Sequence, residues 1–199
     1  MTVNTATPDY IVDSTLTDGE AWVPLATTVV SGTSTATVTF TSTTGANDWS
    51  QYMDLILIIY VASLRATADS QLKCFLSGDT TTTNYAYQSF VGDGSSASAA
   101  GATGVSTGID TRHIPAASST NVFGAIKMNF FDVNSGKFKS VITNTASDRD
   151  GAGQVSTTGN LWLSQAPITS IVFSDLNGAN ITADSRFDLF GVLPRMVTA

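Results

Sequence analysis

This sequence predicts an all-β fold, a two-sheet antiparallel β-sandwich of jelly-roll type with about ten strands and little or no helix. Three observations predict it. Hydrophobic residues recur at period two in short runs, clearest near the C-terminus in residues 168–173 (ITSIVF) and 186–192 (RFDLFGV). The stretches between such runs are built of Asn, Gly, Asp and Ser, as in 174–185 (SDLNGANITADS), which reads as a loop. Charged residues make up only 13% of the chain, against about 25% in an average globular protein. Thr, Ser, Asn and Gly carry the polar share instead, and they suit strands and turns better than solvated helices. No repeat of about 20–50 residues is visible, which sets aside solenoids and propellers.

Taken in order, residues 1–19 show little periodicity and read as an extended arm. Residues 20–30 (EAWVPLATTVV) predict a first strand, and Pro24 places it at an edge or a bulge. Residues 35–41 (TATVTFT) set Ala36, Val38 and Phe40 on one face. After the turn TTGAND, residues 52–63 predict a strong strand. Its apolar run 55–62 (LILIIYVA) points to a strand buried on both faces at the centre of its sheet. Strands at 71–77 and 85–91 follow, separated by the turn GDTTTTN. The Gly, Ser and Ala tract 92–108 (GDGSSASAAGATGVSTG) reads as a long loop, of the kind that is functional or disordered in a compact domain. A linker there would leave neither half enough strands to close a sandwich. Residues 121–133 (NVFGAIKMNFFDV) set Val122, Gly124, Ile126, Met128 and Phe130 on one face. They form a hairpin with 137–145 (KFKSVITNT) across the turn at 134–136. Residues 154–164 (QVSTTGNLWLS) are a further strand before the closing pair. The reading is one domain over 20–193, with a short tail at 194–199.

Composition narrows the function classes. A chain of 199 residues buries roughly 70% of its unfolded surface, so no disulfide or metal staple is needed. A net charge of −7 argues against a nucleic-acid groove and against anionic membrane surfaces, because both call for clustered Lys and Arg. The single Cys74, in LKCFL, excludes an intrachain disulfide and reads as a buried small hydrophobe. The start MTVNTATPDY has neither the basic nor the apolar region of a secretory signal. The run 55–62 is far short of the roughly 20 residues a membrane helix needs.

The residues that could carry chemistry are few. His113, in TRHIP beside Arg112, falls in a predicted loop; a general base needs a positioned partner and a metal site several ligands, so a structural role is expected. Asp148, Asp150 and Gly151 (DRDG) open like a calcium loop, but Ala152, Gly153 and Val155 follow with no Glu in reach, which predicts an ordinary turn. Gly92, Gly94, Gly101 and Gly104 lack the GK[ST] ending of a phosphate loop and no helix follows. Asp175, Asp184 and Asp188 would make a glycosidase pair only at a set separation; Asp184 and Asp188 fit turn and strand-surface roles. Trp22, Trp49 and Trp162 lie among apolar strand residues and read as core or strand-edge packing. Tyr85 and Tyr87 share a face that is core if covered and a ligand surface if exposed; core is the expectation. No catalytic residue, cofactor-binding residue or metal ligand is assigned.

Residues 49–60 (WSQYMDLILIIY), 75–98 (FLSGDTTTTNYAYQSFVGDGSSAS) and the closing strand pair occur in a recognisable order. Over residues 20–193 the chain resembles small β-sandwich structural proteins encoded by tailed bacteriophages. In that pattern an Asp-Leu strand comes first, here Asp54 and Leu55. A Gly-Asp turn closing on Asn-Tyr follows, here Gly78, Asp79, Asn84 and Tyr85, then a Gly/Ser-rich loop. The pattern ends in a strand of the form S-x-F-x-L-[YF]-G-[IV], here residues 185–192. The chain departs from it in continuing as LPRMVTA and in carrying the arm 1–19; irregular ends of this kind suit a protein that clasps neighbouring subunits. The resemblance implies a virion component with no catalytic residue set, placed in capsid decoration, tail or fibre. The expectation is a capsid decoration or cement protein, made in the host cytoplasm, that binds the major capsid protein or other virion proteins. Its multivalent polar contacts and terminal arms gain strength from repetition on the lattice. A homo-oligomer, a trimer at three-fold positions, would match such a shell. The alternative is a tail or fibre adsorption module that binds host-surface carbohydrate through loops 92–108 and 175–184.

Overall fold

Wherever the sequence alternates at period two, a strand forms, and the strands stack into two antiparallel layers. The computed structural model describes residues 11–12, 15–16, 22–119 and 121–193. Within the expected arm, β1 (Ile11–Val12) and β2 (Thr15–Leu16) pair as a small hairpin; the remainder of the arm and the tail 194–199 lie outside the described residues. The main strands are β3 (Trp22–Val29), β4 (Thr37–Thr41), β5 (Asp54–Val61), β6 (Asp69–Leu76), β7 (Tyr85–Gly92) and β8 (Ala97–Thr103). The second half adds β9 (His113–Pro115), β10 (Gly124–Phe130), β11 (Lys139–Ser147), β12 (Gln154–Trp162), β13 (Ser170–Asp175) and β14 (Arg186–Val192). Eight form one sheet in the order β3-β14-β5-β10-β11-β12-β7-β8, and four form the other in the order β4-β13-β6-β9. Helix is confined to three single 3-10 turns among the described residues. The all-β sandwich is as expected; an eight-and-four division does not by itself make it a jelly roll.

One core fills the space between the layers. Leu55, Leu57 and Ile59 of β5, Ile126, Met128 and Phe130 of β10, and Phe187 and Leu189 of β14 face Leu72, Cys74 and Leu76 of β6 and Ile171 and Phe173 of β13. The rings of Phe173 and Phe187 meet across the sheets at 5.4 Å between centroids. Each such large side chain contributes about 1.5–3 kcal/mol by leaving water.

Four strands cannot cover eight, and this mismatch explains the polar inner positions. The inner faces of β11, β12 and β7 carry Thr143, Thr145, Ser156, Thr158, Asn160 and Ser89, all buried. The segment 104–112 lies over them and is stitched to both layers. Cys74 N donates to Thr107 O at 2.8 Å, Asp110 N to Asn160 Oδ1 at 2.7 Å, and Thr145 Oγ1 to Thr111 O at 2.6 Å.

Three expectations are corrected. The tract 92–108 is not one loop: Ala97–Thr103 is strand β8, paired in continuous register with β7. Ala, Ser and Gly have little strand propensity, so backbone pairing with an existing strand makes this one and its side chains give no warning. β5 is central as expected, between β14 and β10, but it is not buried on both faces, since Ile58 and Tyr60 are exposed on its outer side. The TRHIP segment, read as loop, contains β9 paired to β6. Pro24 does lie on an edge strand, with a register shift at Leu189/Phe190 beside it.

Candidate functional site

The motif residues that carried the resemblance form a structural clamp. Asp79 Oδ2 accepts from Asn84 Nδ2 and from Trp162 Nε1, each at 2.8 Å, and its Oδ1 accepts from Thr81 N at 2.9 Å. Tyr85 Oη donates to Asp79 O at 2.7 Å and accepts from Leu76 N at 3.2 Å. The turn between β6 and β7 is thereby tied to β12, the strand that pairs with β7. Burial raises the Asp79 carboxyl pKa, but the bonds from Asn84, Trp162 and Thr81 outweigh it and hold the group below the usual carboxylate value. Trp49, Trp162 and Tyr85 are core, as expected. Tyr87 is half-buried beneath the Arg112 guanidinium at 4.7 Å, and that guanidinium also donates to Ser89 Oγ.

The other singled-out residues are scattered. His113 Nδ1 lies 3.1 Å from Asp69 Oδ2, which also takes the Arg149 guanidinium at 2.8 Å. Burial works to raise the Asp69 pKa; the Arg149 hydrogen bond and the neighbouring His113 lower it further than burial raises it. Asp175 is sealed in the interior, accepting from Ser63 Oγ at 2.6 Å, Ser70 Oγ at 2.5 Å and Asn177 N at 2.7 Å. Asp188 pairs with Arg186 at 2.8 Å on the strand surface, and Asp184 sits in a turn at φ 69°. These three carboxylates hold separate structural positions. Cys74 is fully buried, and burial pushes its thiol pKa up. Ellman's reagent is therefore expected to leave the native protein unlabelled at pH 8 and to titrate one thiol after denaturation; rapid native labelling would contradict this packing.

Two of the turn sequences do meet. Gly92, Asp93 and Gly94 and the turn containing Asp148 and Gly151 rim a hollow of about 270 Å³ at one end of the large sheet. Both carboxylates serve their own turns. Asp93 Oδ1 accepts from Ser95 N and Ser96 N at 2.9 and 2.7 Å, and those bonds depress its pKa. Asp148 Oδ1 accepts from Gly151 N at 2.8 Å. No group of three or more potential metal ligands occurs among the described residues. The loop 175–184 leaves the same end of the sandwich beside β14, five strands from β7. At about 4.8 Å per strand that is roughly 24 Å, so loops 92–97 and 175–184 do not share one site.

The broadest unassigned feature is the outer face of the eight-stranded sheet. Ile58, Tyr60, Phe90, Ile142 and Val155 are exposed there, with Trp22 on the β3 edge. Tyr60 stacks on Phe123 at 4.7 Å, and Trp22 lies between Phe190 at 5.9 Å and the Lys127 ammonium at 5.0 Å. Arg186 and Asp188 neutralise each other on the same face. Across β11, β12, β7 and β8 the residues Ile142, Gly159, Leu161, Ala86 and Gly101 floor a shallow trough of about 680 Å³. The sequence alone does not reveal this face because the apolar run 55–62 reads as buried on both sides. The available signal was that both parities are apolar in 55–62 and in 85–91. Comparison with protein-family models, with curated proteins and with solved structures gives no match.

Proposed function

We propose that this chain is a non-enzymatic virion structural protein of a tailed bacteriophage that works by contact, as a capsid decoration or cement protein. The observation that carries the reading is the apolar and aromatic outer face of the large sheet. Its apolar side chains share the face with Lys127, Asn144 and Thr157, and an exposed face that carries so many large apolar groups suits contact with another protein. Arg186 and Asp188 pair with each other there and the Lys127 ammonium lies over the Trp22 ring, which suits broad contacts to shell subunits. The motif resemblance over residues 20–193 supports the virion assignment, and lattice repetition lets each contact be modest.

The test is a reconstruction of the phage particle that carries the chain. Density is expected over the shell, with the Ile58 and Tyr60 face turned toward neighbouring subunits. The double variant Ile58→Glu, Tyr60→Glu is expected to keep its fold and to lose incorporation. Density confined to tail tip or fibres would overturn the capsid placement and favour adsorption. Absence from the particle would overturn the virion reading altogether.

A further inference from the structure

We propose that the open edge of β8 pairs antiparallel with the same edge of a second copy of this chain, giving one continuous sheet across a two-fold axis at Ala100. This goes beyond the virion reading and does not depend on it, because the purified chain answers the question.

The backbone of β8 shows which groups are available. At one end Asp93 N donates to Ser96 O at 3.1 Å, and at the other Gly104 N donates to Tyr85 O at 3.0 Å. Antiparallel pairs alternate between hydrogen-bonded and non-bonded. In the β7–β8 register, Ser98, Ala100 and Ala102 therefore turn their N–H and C=O groups toward β7. Ala97, Ala99, Gly101 and Thr103 turn theirs to the open side, where β8 has no neighbouring strand among the described residues.

An unpaired edge is a template for another strand, and sheets ordinarily blunt theirs. The other edges of this sandwich are blunted. β3 carries Pro24 and a register shift beside it, β9 has three residues and ends in Pro115, and β4 has five. β8 has seven exposed residues with no proline, no charge and no bulge. In a chain of net charge −7, an uncharged edge is the one that can meet its own copy without repulsion.

The geometry is self-complementary. With Ala100 opposite Ala100 of the other copy, Ala97 faces Thr103 and Ala99 faces Gly101. Every outward N–H and C=O then finds a partner. In that register the cross-strand row runs Phe90, Ala99, Gly101 of the other copy, Gln88 of the other copy. Phe90, 62% exposed, thus flanks the join, and the trough floored by Gly101 and Ala86 lies on the far side. The two-fold repeats this contact.

The test uses the whole chain in sedimentation equilibrium. The wild type is expected to dimerise. Ala99→Pro removes one outward N–H without touching the β7 ladder, and is expected to keep the wild-type melting curve at dilutions where both chains are monomeric while raising the dissociation constant at least about tenfold. Ala100→Cys places two thiols across the axis at the roughly 4.5 Å Cα spacing of a non-bonded pair, and is expected to cross-link on mild oxidation. Ser98→Cys, which the register sets opposite Ala102, is expected not to. A wild type that is monomeric at all concentrations, or a trimer indifferent to Ala99→Pro, would overturn the proposal, as would equal cross-linking of the two cysteine variants.

Discussion

Asp79→Ala is expected to cost about 3 kcal/mol of folding stability at pH 7, read as a shift of the urea midpoint at unchanged slope. The carboxylate takes bonds from Trp162 Nε1, Asn84 Nδ2 and Thr81 N. A hydrogen bond to a charged group contributes about 1.5–3 kcal/mol, and a buried donor left unpaired costs about 1–3 kcal/mol. Trp162 is 2% exposed, so its indole N–H has no water to turn to. Asp79 itself is part-exposed, and solvent screening keeps the total nearer one strong bond than three. The linkage sign follows from a pKa lowered on folding. The contribution is complete above about pH 4 and is lost as pH falls through the depressed value. Asp79→Asn removes the titrating carboxylate and is expected to flatten the acid limb of the stability curve. A midpoint for Asp79→Ala within about 0.5 kcal/mol of wild type would show that the clamp stabilises nothing.

Gly108→Val is expected to abolish folding at 37 °C or to remove about 4 kcal/mol or more, the sum of left-handed strain on a β-branched residue and overpacking. Gly108 has φ +70°, and a Cβ there would run into the Cys74 carbonyl oxygen and come within 2.9 Å of the Phe75 ring. The flanking bonds, Cys74 N to Thr107 O and Ile109 N to Cys74 O, both 2.8 Å, leave the backbone no room to withdraw. Losing this contact would lift segment 104–112 off the polar inner faces of β11, β12 and β7. Gly136→Val in the β10–β11 turn is the control, because nothing lies within 4 Å of a Cβ there. Comparable melting curves for the two variants would refute the close approach at Gly108.

The closing strand was legible to the residue: the alternation in 186–192 is β14, because Phe187 and Leu189 face the core while Arg186 and Asp188 face water. The same logic misled at 55–62. An unbroken apolar run reads as burial on both sides, yet Ile58 and Tyr60 are exposed, since no described strand covers the outer side of the large sheet. His113 reads as a loop residue because three residues carry no periodicity, and only pairing with β6 makes them a strand.

What the sequence by itself determined is the class of fold and most of its strands, because burying one face of a pleated strand writes itself into every second residue. It also determined that Asp79, Asn84 and Tyr85 belong together, since five or six residues of turn hold them in reach. The tertiary structure alone decided the division into eight and four strands, the cover over the polar inner faces, and the open edge at β8. Those depend on which strands become neighbours at long range. A run such as ASAAGAT becomes a strand only when another strand offers it a backbone ladder.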